Sequence, residues 1–445
     1  MNTNKRYKFS MFMKTIECSN GEVLLYSSYL GIDKIIKISK KNALLLFEWI
    51  NISDLFFQDD PLFLKLIDLG YIVEAEVNEK LLRQNLINET LYDKKLNLVI
   101  HTTEDCNFRC EYCALDFNRQ SMQSCVGENI VKFIRKNISR YESVSISWFG
   151  GEPLLNMPII EQISRDVIEI CKCAKKPYYA SITTNGYLLT PRNMELLYSC
   201  NVRHITVTLD GNKETHDKQR HLIQGGNTFD KIIENLKGIR NEKRYHIKVS
   251  IRTNVTKEIL SNIKSFFEYL NDEFGNDNRF GIFIRLAGDW GGERVKKIKS
   301  NLLSEDAYSQ IYDILQNIPD LTLDWSVNKA DFEPAGCFCQ AMRKNKYTIA
   351  VDGSIHKCDT PNMPIGYLDD NGIMNINDIM ICEWSLPQSI ASKQCDECFF
   401  SCACFMGTCP QNMILNKNTY ACSGFLEGIE SIIKWIAKTE KIDVL

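Results

Sequence analysis

The chain has 445 residues, of which 44% are hydrophobic and 24% are charged, and its formal net charge is −3 at pH 7. This length favours about three globular domains, and the lack of a sustained basic tract disfavours nucleic acid as the main substrate. No apolar run is long enough to span a bilayer, and the N-terminal segment lacks the apolar core of a signal peptide. We therefore expect a cytoplasmic protein with neither nucleic acid nor a membrane as its partner.

Cysteine is abundant and unevenly placed, with 18 residues in total and ten of them between Cys337 and Cys422. In a short secreted chain such a number would indicate disulfides. In a cytoplasmic chain of this length it indicates metal or redox chemistry instead. We expect such chemistry to need a reducing, oxygen-poor environment.

Residues 1–90 carry no cysteine motif, and their pattern predicts a hairpin, two helices and a short strand. The turn Ser19-Asn20-Gly21 separates two runs of β-forming residues, which is a hairpin signal. Apolar residues at helical spacing follow, and Gly70 is placed to end the second helix. The predicted elements are strands over Lys8–Thr15 and Glu22–Tyr29, helices over Lys41–Ile50 and Pro61–Leu69, a strand over Tyr71–Val73, and a charged helical linker over Glu74–Lys95.

From residue 96 to about residue 287, short apolar runs alternate with segments of helical periodicity. Six buried strands are predicted at Leu96–Thr102, Val144–Trp148, Tyr179–Thr184, His204–Leu209, Ile247–Arg252 and Phe280–Leu286. The helices between them are predicted at Val126–Ser139, Pro158–Ala174, Asn193–Cys200, Thr228–Arg240 and Glu258–Glu273. This alternation predicts an α/β fold with a parallel sheet, of six units rather than the eight of a closed barrel.

The segment from His101 to Phe117 contains three cysteines within eight residues, Cys106, Cys110 and Cys113. Three thiolates can hold three irons of one [4Fe–4S] cluster, and the fourth iron is then open to a substrate or cofactor. A partial zinc site and three structural thiols are the alternatives. Zinc knuckles usually pair one CxxC with a second CxxC or with histidine, and no such partner lies nearby in the sequence.

This loop, with an aromatic residue, Tyr112, just before its last cysteine, resembles the cluster loop of the radical S-adenosylmethionine (radical SAM) enzymes. The resemblance implies a partial (β/α)6 barrel of TIM type, whose cluster loop follows the first strand at the face where such barrels build their sites. It also implies that Cys106, Cys110 and Cys113 are the catalytic cluster ligands. The open iron would bind S-adenosyl-L-methionine. Reduction of the cluster, with flavodoxin or ferredoxin as electron donor, would then produce a 5′-deoxyadenosyl radical.

The ends of the later strands carry further residues that the resemblance places at the cofactor. The turn at residues 150–152 matches the one that binds the amino group of S-adenosylmethionine in that family. The fourth-strand signature of peptide maturases, SxDGxxxxHDxxR, is present with Thr208 in place of serine and Arg220 at its end. Several of these residues could instead close turns or cap helices. The predicted cofactor-binding residues are Tyr112, Gly150, Gly151, Glu152, Thr184, Asn185, Thr208, Asp210, Arg252 and Leu286.

The C-terminal cysteines resemble a SPASM domain, a region of radical SAM enzymes that binds auxiliary iron–sulfur clusters. Its first half, Cx9–15Gx4C, fits residues 339–358. The second half of the pattern is CxxCx5Cx3C, but four residues instead of three separate Cys404 from Cys409. Cys402 has no counterpart in the pattern, so it is open whether Cys402 or Cys404 is a ligand. A zinc ribbon is the alternative. The resemblance implies three [4Fe–4S] clusters in all, with auxiliary ligands Cys337, Cys339, Cys358 and Cys409 in one and Cys395, Cys398, Cys404 and Cys422 in the other.

The pattern at the N-terminus resembles the winged-helix peptide-recognition domain fused to many enzymes that modify ribosomally made peptides. The resemblance implies an oxidoreductase that modifies a ribosomally synthesised precursor peptide, made of leader and core. We expect a thioether or carbon–carbon cross-link, because closing a bond onto a thiolate releases an electron that clusters in the cysteine-rich region could accept. A sulfatase-maturing, formylglycine-forming enzyme, a peptide epimerase and a non-catalytic iron–sulfur scaffold are the alternatives. The predicted organisation is a winged-helix-like leader-peptide module (1–90), a radical SAM partial barrel (95–290), a connector (291–334), a SPASM domain (335–425) and a C-terminal helix (426–445).

Overall fold

The computed structural model describes residues 5–52, 55–115, 117, 120–289, 294–304, 306–360, 363–385, 393–405, 409–416, 422, 425–440 and 442–445. Among these residues, no helix combines the length and the apolar character needed to cross a membrane. The predicted boundary between residues 290 and 291 lies outside the described residues.

Residues 6–91 form strands of two small sheets and three helices. The elements are β1 (Arg6–Phe9), β2 (Met13–Glu17), β3 (Val23–Ser27), a 3₁₀ turn (Ile32–Lys34), β4 (Ile36–Ile38), α1 (Lys40–Ile50), β5 (Leu55–Phe56), α2 (Pro61–Leu69), β6 (Ile72–Glu74) and α3 (Glu79–Leu91). β1 pairs with β5 and β6 in one antiparallel sheet, and β2, β3 and β4 are antiparallel neighbours in the other. The hairpin predicted around residues 19–21 is confirmed as β2–β3. The second predicted helix is confirmed with its bounds, and it ends at Gly70 with φ 84°.

The single strand predicted at Lys8–Thr15 is wrong, because this segment forms two strands in different sheets. The chain leaves the first sheet after β1 and enters the second at β2. Buried Ser10 holds the crossing: its N–H donates to Tyr71 O (2.9 Å) and its hydroxyl donates to Glu79 Oε1 (2.6 Å). Both partners are more than 60 residues away in the chain, so the crossing leaves no local signal in the sequence.

Helix α3 is packed against the rest of the molecule, although a linker was predicted there. Glu79, Arg83, Ile87 and Leu91 are its buried residues, and their spacing of four places them on one face. Ile87 and Leu91 share a small hydrophobic core with Cys395. The helix therefore connects the N-terminal residues to the cysteine-rich C-terminal segment.

Residues 95–286 form the six β/α units predicted from the sequence. The elements are β7 (Lys95–Thr103), α4 (Ser124–Asn137), β8 (Ser143–Gly150), α5 (Met157–Cys173), β9 (Tyr178–Thr184), α6 (Pro191–Ser199), β10 (Val202–Thr208), α7 (Lys213–Gln219), α8 (Phe229–Asn241), β11 (Lys248–Val255), α9 (Lys257–Phe274) and β12 (Phe280–Leu286), with 3₁₀ turns at Ile138–Arg140 and Pro153–Asn156. The strands lie in the order β7 to β12, and every neighbouring pair is parallel. The six predicted strands and five predicted helices are confirmed to within three residues, whereas α7 was not predicted.

The long helices form because each carries an apolar stripe at helical spacing, which is buried in the same core as the strands. Helix α9 shows the pattern clearly. Thr256 begins it with a side-chain cap, in which its hydroxyl accepts from Ile259 N–H. The buried stripe of α9 is Ile259, Ile263, Phe266, Phe267, Leu270 and Phe274.

The C-terminal residues extend the parallel sheet. The elements are α10 (Val295–Ile298), α11 (Ala307–Leu315), α12 (Ser326–Lys329), β13 (Lys346–Ile349), β14 (Ser354–His356), β15 (Pro364–Leu368), β16 (Met374–Ile376), α13 (Asp378–Ser385), α14 (Lys393–Asp396), α15 (Ser401–Cys404), α16 (Pro410–Asn416), α17 (Phe425–Thr439) and β17 (Asp443–Val444), with 3₁₀ turns at Lys299–Asn301, Ala330–Phe332 and Gln340–Met342. β13 is parallel to β7, and β14 to β16 follow it in antiparallel order. The cysteine-rich region therefore adjoins the strand that leads into the three-cysteine segment.

The two ends of the chain pack together and onto the barrel. β17 pairs in parallel with β4, and the Trp435 ring of α17 lies 5.2 Å from that of Tyr312 and 4.9 Å from that of Trp325, between centroids. Strand β3 belongs to two cores, because Leu24 and Tyr26 are buried in the main core while its alternate residues are buried in the N-terminal one. The N-terminal residues are thus one packed body with the rest.

Candidate active site

A cavity of 560 Å³ lies at the C-terminal ends of the parallel strands. It is lined by the cluster loop (residues 104–117), by residues of the strands and their ends, by Arg220 after α7, and by residues 340–360 of the C-terminal region. The loop contributes all three of its cysteines. The C-terminal region contributes Gln340, Lys346, Asp359 and Thr360. Residues that are distant in sequence therefore meet at one site.

The cluster loop is hydrogen-bonded to the segment at the end of α7. Three main-chain N–H···O bonds of 2.9 to 3.0 Å join residues 107–111 to residues 219–223. Within the loop, the Arg109 guanidinium donates to Cys106 O and Phe108 O, both at 2.7 Å. These bonds hold the backbone on either side of the middle cysteine, so the protein itself sets the position of the thiols.

Gly150 and Gly151 lie directly against the backbone of the cluster loop. A Cβ at Gly150 would come within 2.3 Å of Thr103 O, and a Cβ at Gly151 within 2.0 Å of Asp105 O. Gly150 also has φ +126°, which residues with a side chain rarely adopt. Gly151 N–H donates to Thr103 O (2.8 Å) and Glu152 N–H donates to Asp105 O (2.9 Å). Two glycines are required here because any side chain would block these bonds.

Glu152 is fully buried behind the cavity wall. Its carboxylate accepts from the Thr184 hydroxyl (2.7 Å), from Asn185 N–H (2.8 Å) and from Leu154 N–H (3.1 Å). Burial raises the pKa of this carboxyl to about 7, although the three donors oppose the shift. The side chain therefore joins the turn after β8 to the end of β9, while the glycines of that turn border the cavity.

Tyr112 belongs to a buried polar network at the end of β10. Its hydroxyl donates to the Asp210 carboxylate and accepts from Arg220 and from Asn254 Nδ2 (3.0 Å). Asp210 also accepts from Asn254 N–H (2.8 Å) and lies 3.5 Å from Arg220 Nη1, and its own N–H donates to His216 Nδ1 (3.0 Å). Removing either member of a buried charge pair leaves the other uncompensated. The residues of the fourth-strand signature therefore position the last turn of the cluster loop.

The three loop cysteines all line the cavity. Burial raises the pKa of Cys106 to about 12 and that of Cys110 to about 11, with Arg220 opposing the shift at Cys110. A thiol that binds a metal is deprotonated, so a bound metal would reverse these shifts. Within the described ranges, no three Cys, His, Asp or Glu side chains converge to hold one metal ion. Ligands to separate irons of a cluster do not need such convergence, and three cysteines that line one cavity fit that arrangement.

Most of the predicted cofactor-binding residues line the cavity. These are Tyr112, Gly150, Gly151, Thr184, Asn185, Thr208 and Arg252. Glu152 and Asp210 lie behind the wall in the networks described above, and Leu286 immediately precedes two lining residues, Ala287 and Gly288. Direct contact of Glu152, Asp210 and Leu286 with a cofactor stays a prediction.

Several cavity residues were not assigned to the site from the sequence. Lys346 is 4% exposed, and its ammonium donates to the Asp359 carboxylate. Asp359 and Thr360 directly follow Cys358, so adjacency to a candidate cluster ligand was the signal available for them. Arg220 stood in the fourth-strand signature without a role. The unassigned lining residues with polar side chains include Gln340, Lys346, Asp359, Thr360, Arg220 and Asn254.

Two groups of neighbouring cysteines can be recognised in the C-terminal region. Cys339 lies near Cys358 and Cys409: burial raises its pKa to about 12, and these two thiols add to the shift. In the other group, Cys398 N–H donates to Cys395 O (3.3 Å) at the end of α14. Each group contains part of one predicted ligand set, and Cys339 also packs against the small core that contains Cys395. The division of the cysteines between two auxiliary clusters stays a prediction.

Cys402, which does not fit the spacing pattern, is fully buried. Burial raises its pKa to about 12, and Arg83 and the Ser28 hydroxyl oppose the shift. Its backbone carbonyl accepts from Ala335 N–H (2.9 Å), and the next carbonyl, of Ala403, accepts from Cys337 N–H (3.0 Å). Cys402 therefore lies where the N-terminal residues meet the cysteine-rich segment.

Comparison with known families and curated proteins agrees with this site. Residues 100–270 match the radical SAM superfamily. Similar proteins include Fe-coproporphyrin III synthase of Methanosarcina barkeri (28% identical over 182 residues; 41% of this chain, 42% of that protein), the radical SAM cyclopropyl synthase TigE of Paramaledivibacter caminithermalis (25% over 281; 55% and 57%) and the cysteine-type anaerobic sulfatase-maturating enzyme of Clostridium novyi (23% over 384; 78% and 98%). The chain thus spans less than two thirds of the length of the first two.

Solved structures share the fold. Native anSMEcpe with bound AdoMet has a TM-score of 0.59 and 18% identity, and the match covers 77% of this chain and 98% of that chain. Streptococcus suis SuiB bound to precursor peptide SuiA has a TM-score of 0.50 and 16% identity, with 94% and 99% covered. Similarity at these identities concerns the fold alone. The family match over residues 100–270 includes the cluster loop and strands β8 to β11, so this part of the chain is similar to the radical SAM superfamily.

Proposed function

We propose that this protein is a radical SAM enzyme that installs a cross-link, either a thioether or a carbon–carbon bond, in a ribosomally synthesised precursor peptide. The composition of the cavity wall carries the proposal. The cluster loop forms one part of the wall, and Asp359 and Thr360, which follow Cys358, form another. A peptide residue in this cavity would lie close to the cysteines of the cluster loop and to Cys358.

The radical SAM family implies a [4Fe–4S] cluster and S-adenosylmethionine as cofactors. Cys106, Cys110 and Cys113 would hold the cluster, and the strand ends would border S-adenosylmethionine. When bound, these cofactors supply a 5′-deoxyadenosyl radical that removes a hydrogen atom from the substrate. The protein holds the loop in place and aims the reaction at one C–H bond. We further propose auxiliary clusters at the C-terminal cysteines and flavodoxin or ferredoxin as electron donor.

Residues 1–90 would recognise the leader of the precursor, and the fold match to SuiB supports this assignment. That match leaves out 6% of 445 residues, about 27, so it includes most of residues 1–90. The match to anSMEcpe covers only 77% of the chain. SuiB was solved with its precursor peptide, and anSMEcpe was solved with other peptides, so the coverage of residues 1–90 is what favours the comparison with SuiB.

The free edge of β2 offers a place for the leader to add as a strand. In the described part of the chain, β2 ends its sheet. Phe12–Ser28 and Cys18–Glu22 are hydrogen-bonded pairs of the β2–β3 ladder. Because such pairs alternate, Thr15 directs its N–H and C=O away from β3.

Replacing Thr15 with proline would remove the outward N–H without removing a ladder bond. We expect the affinity for full-length precursor to fall and the affinity for the isolated core peptide to stay the same, both measured by titration calorimetry. Thr15→Val is the matched control, because valine is β-branched and keeps the amide. Full precursor affinity in Thr15→Pro would argue against strand addition at this edge.

Mass spectrometry tests the reaction itself. Precursor would be incubated anaerobically with reconstituted enzyme, S-adenosylmethionine and reductant, and a cross-linked product should lack two hydrogens. Loss of an alkylatable cysteine indicates a thioether, and retention of every cysteine indicates a carbon–carbon bond. Unchanged mass with inverted stereochemistry would replace the cross-link with epimerisation.

Sulfatase maturation is the second candidate, and the match to the Clostridium novyi enzyme favours it, because that match covers 98% of the relative. The same incubation with a cysteine-containing sulfatase peptide would distinguish the two. Formylglycine is an aldehyde and is captured by a hydrazide reagent. Capture of that product, with no change in a precursor peptide, would favour sulfatase maturation.

A further inference from the structure

Arg83 is a buried cation at the junction of α3 and the cysteine-rich segment, with 4% of its surface exposed. Its Nη1 donates to Cys395 O (3.2 Å), Asp396 O (3.3 Å) and the Ser401 hydroxyl (3.1 Å). Its Nη2 donates to Asp396 Oδ1 (3.2 Å). The guanidinium therefore holds the backbone of the segment that carries the second group of cysteines.

The acidic groups around Arg83 neutralise its charge only in part. The Asp396 side chain is 53% exposed, so water screens its attraction to the guanidinium. Glu79, one turn earlier on α3, is committed to the Ser10 hydroxyl and to Met11 N–H. Burying a cation without a nearby negative charge costs free energy. A cluster bound by thiolates at the adjacent cysteines would supply that negative charge.

Arg83 lies against the turn that carries Cys395 and Cys398. It donates to Cys395 O, and Cys398 N–H donates to the same carbonyl (3.3 Å). Cys402 directly follows Ser401, whose hydroxyl also accepts from Arg83. The guanidinium is thus placed beside the segment that carries these three cysteines, although it belongs to the N-terminal part of the chain.

We propose that Arg83 is the counter-charge of the auxiliary cluster held by Cys395 and Cys398, and that it raises the reduction potential of that cluster. The proposal rests on the auxiliary clusters of the proposed function. Net charge and hydrogen bonding around a cluster set its potential. A cluster with thiolate ligands becomes more negative on reduction, so a fixed cation beside it stabilises the reduced form.

This arrangement gives the N-terminal residues a role besides peptide recognition. Any shift of α3 would move a positive charge relative to the cluster. Arg83 is a positioning residue for that site, because it acts through the cluster and not on the substrate.

The test compares Arg83→Met, Arg83→Lys and Lys80→Met in the full-length, reconstituted protein. Methionine provides a long side chain without a charge. Lysine keeps the positive charge but lacks the planar guanidinium and its paired N–H donors. Lys80→Met is the matched control, because Lys80 is an exposed cation on the same helix. Potentials would be measured by redox titration followed by electron paramagnetic resonance, with the signal assigned by its loss in Cys395→Ala/Cys398→Ala.

We expect Arg83→Met to shift the reduction equilibrium of this cluster tenfold toward the oxidised form, a change of about −59 mV for one electron. Arg83→Lys should shift it less, and Lys80→Met should leave it unchanged. If Arg83→Met fails to fold or loses this cluster, Arg83→Gln takes its place, because glutamine keeps hydrogen-bond donors without the charge. A potential in Arg83→Gln equal to that of the unmodified protein would overturn the proposal.

Iron analysis separates failure of this inference from failure of the proposed function. About 12 irons per unmodified chain are expected for three clusters. With that content, an unchanged potential in Arg83→Met overturns the role of Arg83 alone. A content that corresponds to one cluster overturns the auxiliary clusters and the role of Arg83 together.

Discussion

Replacing Gly151 with alanine would place a methyl group 2.0 Å from Asp105 O, in the backbone of the cluster loop. Real Cβ atoms do not approach closer than 3.0 Å, so the two backbones must separate by at least the difference, 1.0 Å. No side-chain rotation relieves a contact with a carbonyl oxygen. The separation would break the bonds that Gly151 and Glu152 donate to the loop, now 2.8 and 2.9 Å long.

We expect Gly151→Ala to lose about 1–3 kcal/mol of stability through overpacking. A displacement of this size in a reacting group can also lower the rate about 100-fold. Gly238→Ala is the matched control, because a Cβ at this position in α8 meets no atom within 4 Å. In a helix interior the same change should stabilise the protein by about 1 kcal/mol.

The two variants would be reconstituted anaerobically side by side. Urea unfolding gives the change in stability, iron analysis gives cluster retention, and the yield of 5′-deoxyadenosine gives the rate. If the reasoning is right, Gly151→Ala does not keep both the iron content and the rate of the unmodified protein. If it keeps both, Gly151 is not needed to position the cluster loop.

Three further predictions follow from the site. Replacing all three cluster-loop cysteines with alanine should abolish 5′-deoxyadenosine formation under dithionite while the C-terminal clusters remain; product from this variant would reject the ligand assignment. Tyr112→Phe should lower the free energy of unfolding by about 1–3 kcal/mol, because it removes a buried hydroxyl shared by Asp210 and Arg220. The exposed Tyr92, changed to Phe, should have no such effect, and equal losses in the two urea titrations would contradict the reasoning. Burial raises the pKa of Glu152 from 4.5 to about 7, so the folded state binds this proton more tightly than the unfolded chain does. Stability should therefore fall by about 1.4 kcal/mol per pH unit between these two values and then level off. Glu152→Gln should remove that slope from unfolding curves measured across the range, and an unchanged slope would exclude Glu152 as its source.

The parallel strands could be predicted because their signal is local. A buried strand such as Phe280–Leu286 is a short apolar run, and the helices beside it repeat apolar residues at the helical period. The three cysteines of the cluster loop lie within eight residues of one another, so an iron–sulfur site could be predicted from a local pattern. Local sequence also predicted the end of α2, because the αL conformation at Gly70 is one that glycine adopts without strain.

Other features depend on contacts between segments that are far apart in the sequence. The crossing at Ser10 depends on Tyr71 and Glu79, and α3 is buried because a segment some 300 residues later packs on it. The sequence showed two glycines after β8, but only the fold showed that the loop backbone occupies the space where their side chains would be. Periodicity and spacing report which residues are neighbours along a helix or strand. They carry no information about which surface comes to lie against which, and that is settled by burial, hydrogen bonding and charge in the folded chain.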